Sequence, residues 1–126
     1  MNKEEHIIQS KLIEWTEDPM IRLRWPELYL LYSIPNGGYR ISKGMGIALK
    51  KEGLKAGMPD LHLPVARGKF HSLYIEMKTP KGPVRKVQKK MHRELRAQGN
   101  AVVVCRSANS AANVLVNYLD KGVVPC

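Results

Sequence analysis

The stretch GMPDLHLPV at 57–65, followed by SLYIEMK at 72–78, decides the fold. Side chains alternate along a strand, so Leu61, Leu63 and Val65 share one face while Asp60 and His62 share the other. The second stretch repeats the pattern, with Leu73, Ile75 and Met77 pointing one way and Tyr74, Glu76 and Lys78 the other. A hairpin centred on Gly68-Lys69 sets Asp60 opposite residues 76 to 78 and brings Asp60, Glu76 and Lys78 onto one face. A solvated antiparallel face with ordinary charges would account for a lone E-x-K. The combination here is more specific: a Pro-Asp, a spacer holding a hairpin tip, and an E-x-K at the end of an apolar strand. Pro59 biases Met58 toward an extended conformation, so the Asp60 carboxylate is delivered from a stiff element.

This combination resembles the PD-(D/E)xK nuclease signature. Two carboxylates about 4 Å apart repel by roughly 4 kcal/mol at an effective dielectric of 20, so such a site is either protonated or holds a cation. Asp60 and Glu76 offer hard oxygen ligands and the Met77 backbone carbonyl a third, a set suited to Mg²⁺, which keeps several waters. A divalent ion there would polarise a scissile phosphate and lower the pKa of a bound water. Lys78 would orient that water or neutralise the developing charge.

Composition agrees with a polyanionic partner. The 126 residues suit one domain spanning 1–126, and 21 Lys and Arg against 11 Asp and Glu give a formal charge of +10, which favours nucleic acid. Anionic membrane competes for the same charge, but no stretch approaches the roughly 20 apolar residues of a spanning helix. The N-terminus MNKEEHIIQSK has no signal-peptide core, so an intracellular protein is expected. Cys105 and Cys126 offer neither a disulfide framework nor a metal knuckle and are expected as free thiols. His6, His62, His71 and His92 show no zinc-binding spacing.

Outward from the decisive stretch, Ile8, Leu12 and Trp15 form a helical stripe over about 3–17, with acidic residues in the first turn. LYLLYSI at 28–34 has strand length and composition and stops at Pro35-Asn36-Gly37-Gly38. Residues 42–52 read as a short helix capped by Ser42 and weakened by Gly44 and Gly46. Beyond the E-x-K, Val84, Val87, Met91 and Leu95 fall at helical spacing before Gly99, with Gln88 at the stripe's edge. Arg85, Lys86, Lys89, Lys90, Arg93 and Arg96 make the outer surface of that helix basic, with Glu94 the lone acid; solvated charge explains such a face, and phosphate contact explains it better. A strand at 101–105 and a helix over about 107–119, with Ala111, Val114, Leu115 and Tyr118 inward, complete the chain.

Taken in order, E-x-x-I-Q, IPNGG-x-R, G-x-PDL, IEMK and a Gln on a basic helix resemble the virus-type replication-repair nuclease (VRR-NUC) family over roughly residues 3–119. The resemblance implies an α/β fold with a restriction endonuclease-like core, a mixed β-sheet flanked by helices. It also implies a Mg²⁺- or Mn²⁺-dependent homodimeric nuclease acting on branched DNA such as four-way junctions, in the cytoplasm of a bacterial or phage-infected cell. By position, Glu5 matches the acidic ligand of the first helix, Asp60 and Glu76 the metal ligands, Lys78 the motif lysine and Gln88 the helix glutamine. Glu5 rather than Glu4 is chosen because Ile8 and Leu12 stand at the spacing that aims it with the buried stripe. One position departs from the pattern: Arg85 stands where the family often has a serine N-cap, which puts the start of the helix and the placement of Gln88 in question.

DNA contact is a further reading for Asn36 and Arg40, in a loop whose glycines allow close phosphate approach, and for His62, on the face of Asp60. Arg85, Lys86, Lys89 and Lys90 join them. A restriction-type endonuclease is the second reading, although 126 residues leave little room for sequence-reading elements. A non-catalytic nucleic-acid-binding module is the third, and three acids facing phosphate argue against it. The dimer interface is expected at Leu23, Trp25, Leu28 and Tyr32, which would otherwise close a second small core.

Overall fold

The computed structural model describes residues 1–35 and 43–125. The run Asn36 to Arg40 and the Ser42 cap therefore lie outside the described residues, as does Cys126. The elements in order are α1 (Lys3–Glu17), α2 (Pro19–Arg24), a 3₁₀ turn (Pro26–Leu30), β1 (Tyr32–Ser33), α3 (Lys43–Lys51), β2 (Leu61–Leu63), β3 (Leu73–Met77), α4 (Lys86–Ala97), β4 (Ala101–Cys105) and α5 (Ala108–Lys121). The strands form one mixed sheet in the order β1-β2-β3-β4. Its first two pairings are antiparallel and β3-β4 is parallel, so β3 and β4 need a crossover, which α4 supplies.

The expected hairpin forms. Arg67 and Phe70 exchange both backbone hydrogen bonds around Gly68-Lys69. Gly68 has φ of +56°, and a Cβ there would lie 2.5 Å from the Gly122 carbonyl oxygen, so the tip admits no side chain. Leu61 then pairs with Ile75 and Leu63 with Leu73. Their apolar face is buried with Leu12 of α1 and Leu115 and Tyr118 of α5. Tyr118 is fully buried and donates its hydroxyl to the Val65 carbonyl, which satisfies its polar end. Cys105 joins this core as a free thiol, and burial pushes its pKa up to about 11, leaving it unreactive.

Helix α1 begins in a capping box. Asn2 Oδ1 accepts from the Glu5 amide at 2.8 Å and Glu5 Oε2 from the Asn2 amide at 3.2 Å. Helix α5 starts on Ser107, whose hydroxyl accepts from the Ser110 amide at 3.0 Å, and closes on Gly122 in the left-handed region.

Two expectations are corrected. The strand expected over 28–34 begins as the end of a 3₁₀ turn, and only Tyr32 and Ser33 reach the sheet, opposite His62 and Leu61. Pro26 fixes a helical φ at the first position, where its missing amide costs nothing. The Leu28 amide then bonds back to Trp25 O and that of Leu31 to Leu28 O, so Leu28 turns into the core while Tyr29 stays exposed. The second correction concerns α4. Val87 is exposed and Val84, Met91 and Leu95 are half-buried, whereas Gln88 and His92 are buried. The sheet surface beneath this helix carries the Glu76 carboxylate, and polar partners satisfy a buried acid better than valine does.

Candidate active site

Asp60, Glu76, Lys78, Gln88 and Glu5 all line one cavity of about 290 Å³, closed at its rim by Lys50, Arg85 and Gly57. All five acid, amide and amine side chains are buried, Glu76 almost completely, at 1% exposure. The backbone fixes Asp60 from both sides: its amide donates to Ile75 O at 3.1 Å and its carbonyl accepts from the Ile34 amide at 2.8 Å. The Met77 amide donates to Asp60 Oδ2 at 2.7 Å, tying the carboxyl to the neighbouring strand. Gly57 is required at the rim, since with φ of +86° it brings its Cα against the Val87 carbonyl, and a Cβ would approach that oxygen to 2.5 Å.

The carboxyl groups of Asp60 and Glu76 are hydrogen-bonded to each other. Burial, then the bond to Glu76 and its charge, push the Asp60 pKa up to about 8; the Met77 amide works against this and Glu5 adds to it through space. Burial also raises Glu76, while the bond from Asp60 and the charges of Lys78 and Arg85 oppose that rise. Glu76 is gripped from α4 as well. Gln88 Nε2 donates to its Oε2 at 3.4 Å, and His92 Nε2 stands 3.1 Å from its Oε1. Burial and the cations of Arg96 and Lys78 hold the His92 pKa down.

Arg85 carries no acceptor with which to cap α4, yet it stands at the N-cap and the helix starts at Lys86. Gln88 supplies the cap in reverse, its Oε1 accepting from the Arg85 amide at 2.9 Å. One side chain therefore fixes the helix start and reaches the acid pair, which settles the position of Gln88 despite the missing serine.

Among the described residues, no three His, Cys, Asp or Glu side chains gather at a spacing that holds a metal ion. Glu5 shares the cavity, but its carboxylate caps α1 and reaches the acid pair through charge. The remaining donor set is two neighbouring buried carboxyl groups, of which Asp60 is disposed by burial and by Glu76 to keep its proton. That set fits a hard divalent cation, which would replace the proton and complete its shell with backbone oxygen and water.

A family model described as the VRR-NUC domain matches residues 4–109. The chain belongs to the VRR-NUC family. It is therefore a member of a nuclease family, and its four-stranded mixed sheet flanked by helices is the fold of that family. A solved structure described as a VRR_NUC domain protein superposes with a TM-score of 0.76 at 25% identity, covering 96% of this chain and 95% of that one. No curated protein matches the sequence.

Within this VRR-NUC domain, other expected contacts fall differently. Arg85 at the N-cap of α4 and Lys86, Lys89 and Lys90 on the helix are exposed, and Arg85 reaches the cavity rim. His62 lies away from the cavity. Its Nδ1 meets the Tyr32 hydroxyl at 2.9 Å, its Nε2 meets Ser72 Oγ at 3.0 Å, and its ring stacks on Tyr74 with centroids 4.1 Å apart. Both ring nitrogens are thus engaged within the fold. Two residues at the site carried no function in the sequence reading. Lys50 stands on α3, a helix without buried residues, so periodicity gave it no signal. His92 did leave one, four residues after Gln88 and so on the same helix face.

Proposed function

We propose that this VRR-NUC domain is a Mg²⁺- or Mn²⁺-dependent DNA endonuclease that hydrolyses phosphodiester bonds in branched DNA, four-way junctions included, as a homodimer inside the cell. The observation that carries this reading is the buried Asp60–Glu76 pair in a cavity that buried Lys78 also lines, with the exposed Lys50 and Arg85 at its rim. A protein that merely bound phosphate would gain nothing from buried acids facing its ligand.

Asp60, Glu76 and the Met77 carbonyl would hold the cation, with Glu5 adding negative charge nearby. The ion supplies charge neutralisation at the phosphate and a more acidic water. The chain's own groups do the rest. Lys78 sits on the same strand face as Glu76 and offers its ammonium to the attacking water or to charge developing on phosphate. Gln88, with a donor and an acceptor, holds Glu76 in place. Lys50, Arg85 and the exposed Lys86, Lys89 and Lys90 draw the DNA backbone toward the mouth; Asn36 and Arg40 are assigned to the same task. Among the described residues no helix is long and apolar enough to cross a membrane.

The dimer reading narrows to fewer residues. Leu28 belongs to the core, and Trp25 is half-buried with its Nε1 donating to Asp120 at 2.9 Å. Leu23 and Tyr32 remain exposed, and Met20, Tyr29 and Leu30 are exposed in the same stretch. These side chains supply apolar surface for a two-fold contact, and two centres would cut the two related strands of a junction. Labelled duplex, splayed, flap and four-way DNA, incubated with Mg²⁺, Mn²⁺ or chelator, test the whole reading. Junction cleavage that requires metal, with a dimer mass in sedimentation equilibrium, is expected. A clean monomer that remains fully active on junctions would sink the dimer, and equal rates on all four substrates would sink the branched preference.

Glu5→Gln tests the role of the third acid. Glutamine serves a capping box as well as glutamate, so thermal stability should hold while the cleavage rate falls about 10–100-fold. An unchanged rate per folded molecule would reduce Glu5 to a helix cap.

A further inference from the structure

Glu76 is held at both oxygens by one turn of α4: Oε2 by Gln88 Nε2 and Oε1 by His92 Nε2. Gln88 and His92 are four residues apart, so they project side by side from one helix face. Both are buried, His92 at 3% exposure, and the contact distance of 3.1 Å is that of a real hydrogen bond. An imidazole in this position cannot touch DNA, and packing alone does not call for one. Its neighbours on the helix, Met91 and Leu95, already supply apolar cover. A histidine is worth keeping in such a place for the direction of its N–H.

We infer that His92, protonated on Nε2, is a positioning residue that together with Gln88 locks the rotation of the Glu76 carboxylate and so presents it to the cation. The inference rests on the proposed metal centre. A carboxylate that holds a cation has no proton to give, so its bond to the imidazole requires the hydrogen on Nε2. Two donors on separate oxygens remove the freedom of the terminal torsion, which is soft when left alone. Orientation of this kind through a hydrogen-bonding neighbour commonly controls metal affinity by about 10–100-fold. Arg96, on the next turn, is engaged elsewhere, its guanidinium donating to Val102 O at 2.7 Å.

The test measures Mn²⁺ binding by electron paramagnetic resonance of the free ion on wild type, His92→Leu, His92→Gln and Glu76→Gln, without DNA. His92→Leu keeps volume and loses the donor; affinity should fall about 10–100-fold while the metal-free protein melts as a folded domain. His92→Gln returns an N–H to nearly the same point and should recover most of the loss. If His92→Leu binds Mn²⁺ like wild type while Glu76→Gln does not, the positioning role is wrong and the metal centre stands. If Glu76→Gln also binds like wild type, the metal centre itself is wrong and the inference falls with it. Long-range ¹⁵N correlation on the wild-type protein needs no variant: a neutral ring with hydrogen on Nε2, whose resonance moves when Mg²⁺ is added, is expected. A ring carrying hydrogen on Nδ1 alone would overturn the proposal even if His92→Leu failed to fold.

Discussion

Asp60→Ala or Glu76→Ala should lower single-turnover cleavage by at least roughly 10²–10³-fold, to the point of no detectable product, while DNA affinity stays near that of wild type. The separation of the two effects follows from where the charges sit. The acids are buried in the cavity, whereas the cations proposed to meet phosphate are exposed: Lys50 and Arg85 at its rim, and Lys86, Lys89 and Lys90 along α4. Removing a buried acid leaves that rim intact and even lessens the repulsion that DNA meets on entry. Glu76→Ala should perturb the fold more than Asp60→Ala, because it leaves Gln88 Nε2 and His92 without their shared acceptor in a buried setting. Fluorescence anisotropy in chelator reports binding, and quenched cleavage time courses in Mg²⁺ and Mn²⁺ report chemistry. Near-wild-type turnover by either variant would mean that the reaction centre lies elsewhere.

What could be read in the sequence was what alternation dictates. A two-residue period bounded by a Gly68-Lys69 tip leaves little freedom of register, since a slip by one residue would expose Leu61, Leu63, Leu73 and Ile75 together. Pattern and tip together placed Asp60 opposite residues 76 to 78; the pairing of Leu61 with Ile75 sets it across from Glu76, one step from the strict tip register because three residues separate Leu63 from Arg67 and only two separate Phe70 from Leu73. Helices α1 and α5 were equally legible, because their inward stripes meet an apolar sheet face.

Where a segment's environment is not apolar, hydrophobic pattern misleads. On α4 the apolar positions Val84, Val87, Met91 and Leu95 suggested the inward face, but the helix turned Gln88 and His92 toward Glu76. A helix follows the most costly group it must satisfy, and a buried carboxylate outweighs a valine left half in water. At 26–31 the fault was different. A run of Leu and Tyr favours a strand on average, but Pro26 and the back-bonded Leu28 amide impose a local turn that average preference does not see. The capping role of Gln88 leaves no mark at the N-cap for a related reason: Arg85 has no acceptor, and the acceptor comes from three residues downstream.

In chelator, wild-type protein should lose stability as pH rises from about 4 to about 8, and Asp60→Asn should remove much of that loss. The folded Asp60 carboxyl titrates at about 8 against an ordinary value of 3.8, chiefly through burial and its bond to Glu76. Between those values the unfolded chain has released this proton and the folded chain still holds it. Folding then takes up a proton, so the native state is favoured at low pH and its advantage shrinks with each step upward, levelling off above the folded value. Glu76 is raised as well and contributes with the same sign. A displacement of this size corresponds to a few kcal/mol. Asparagine keeps an acceptor for the Met77 amide and an N–H for Glu76 but has no proton to lose, so the metal-free variant should melt several degrees above wild type at pH 8 and close to it at pH 4. Saturating Mg²⁺ should raise the wild-type melting temperature at pH 8 and leave that of Asp60→Asn nearly unmoved, because an ion stabilises only the state that binds it. Parallel pH profiles for the two proteins in chelator would show that Asp60 is already ionised in the native cavity, with water screening it from Glu76.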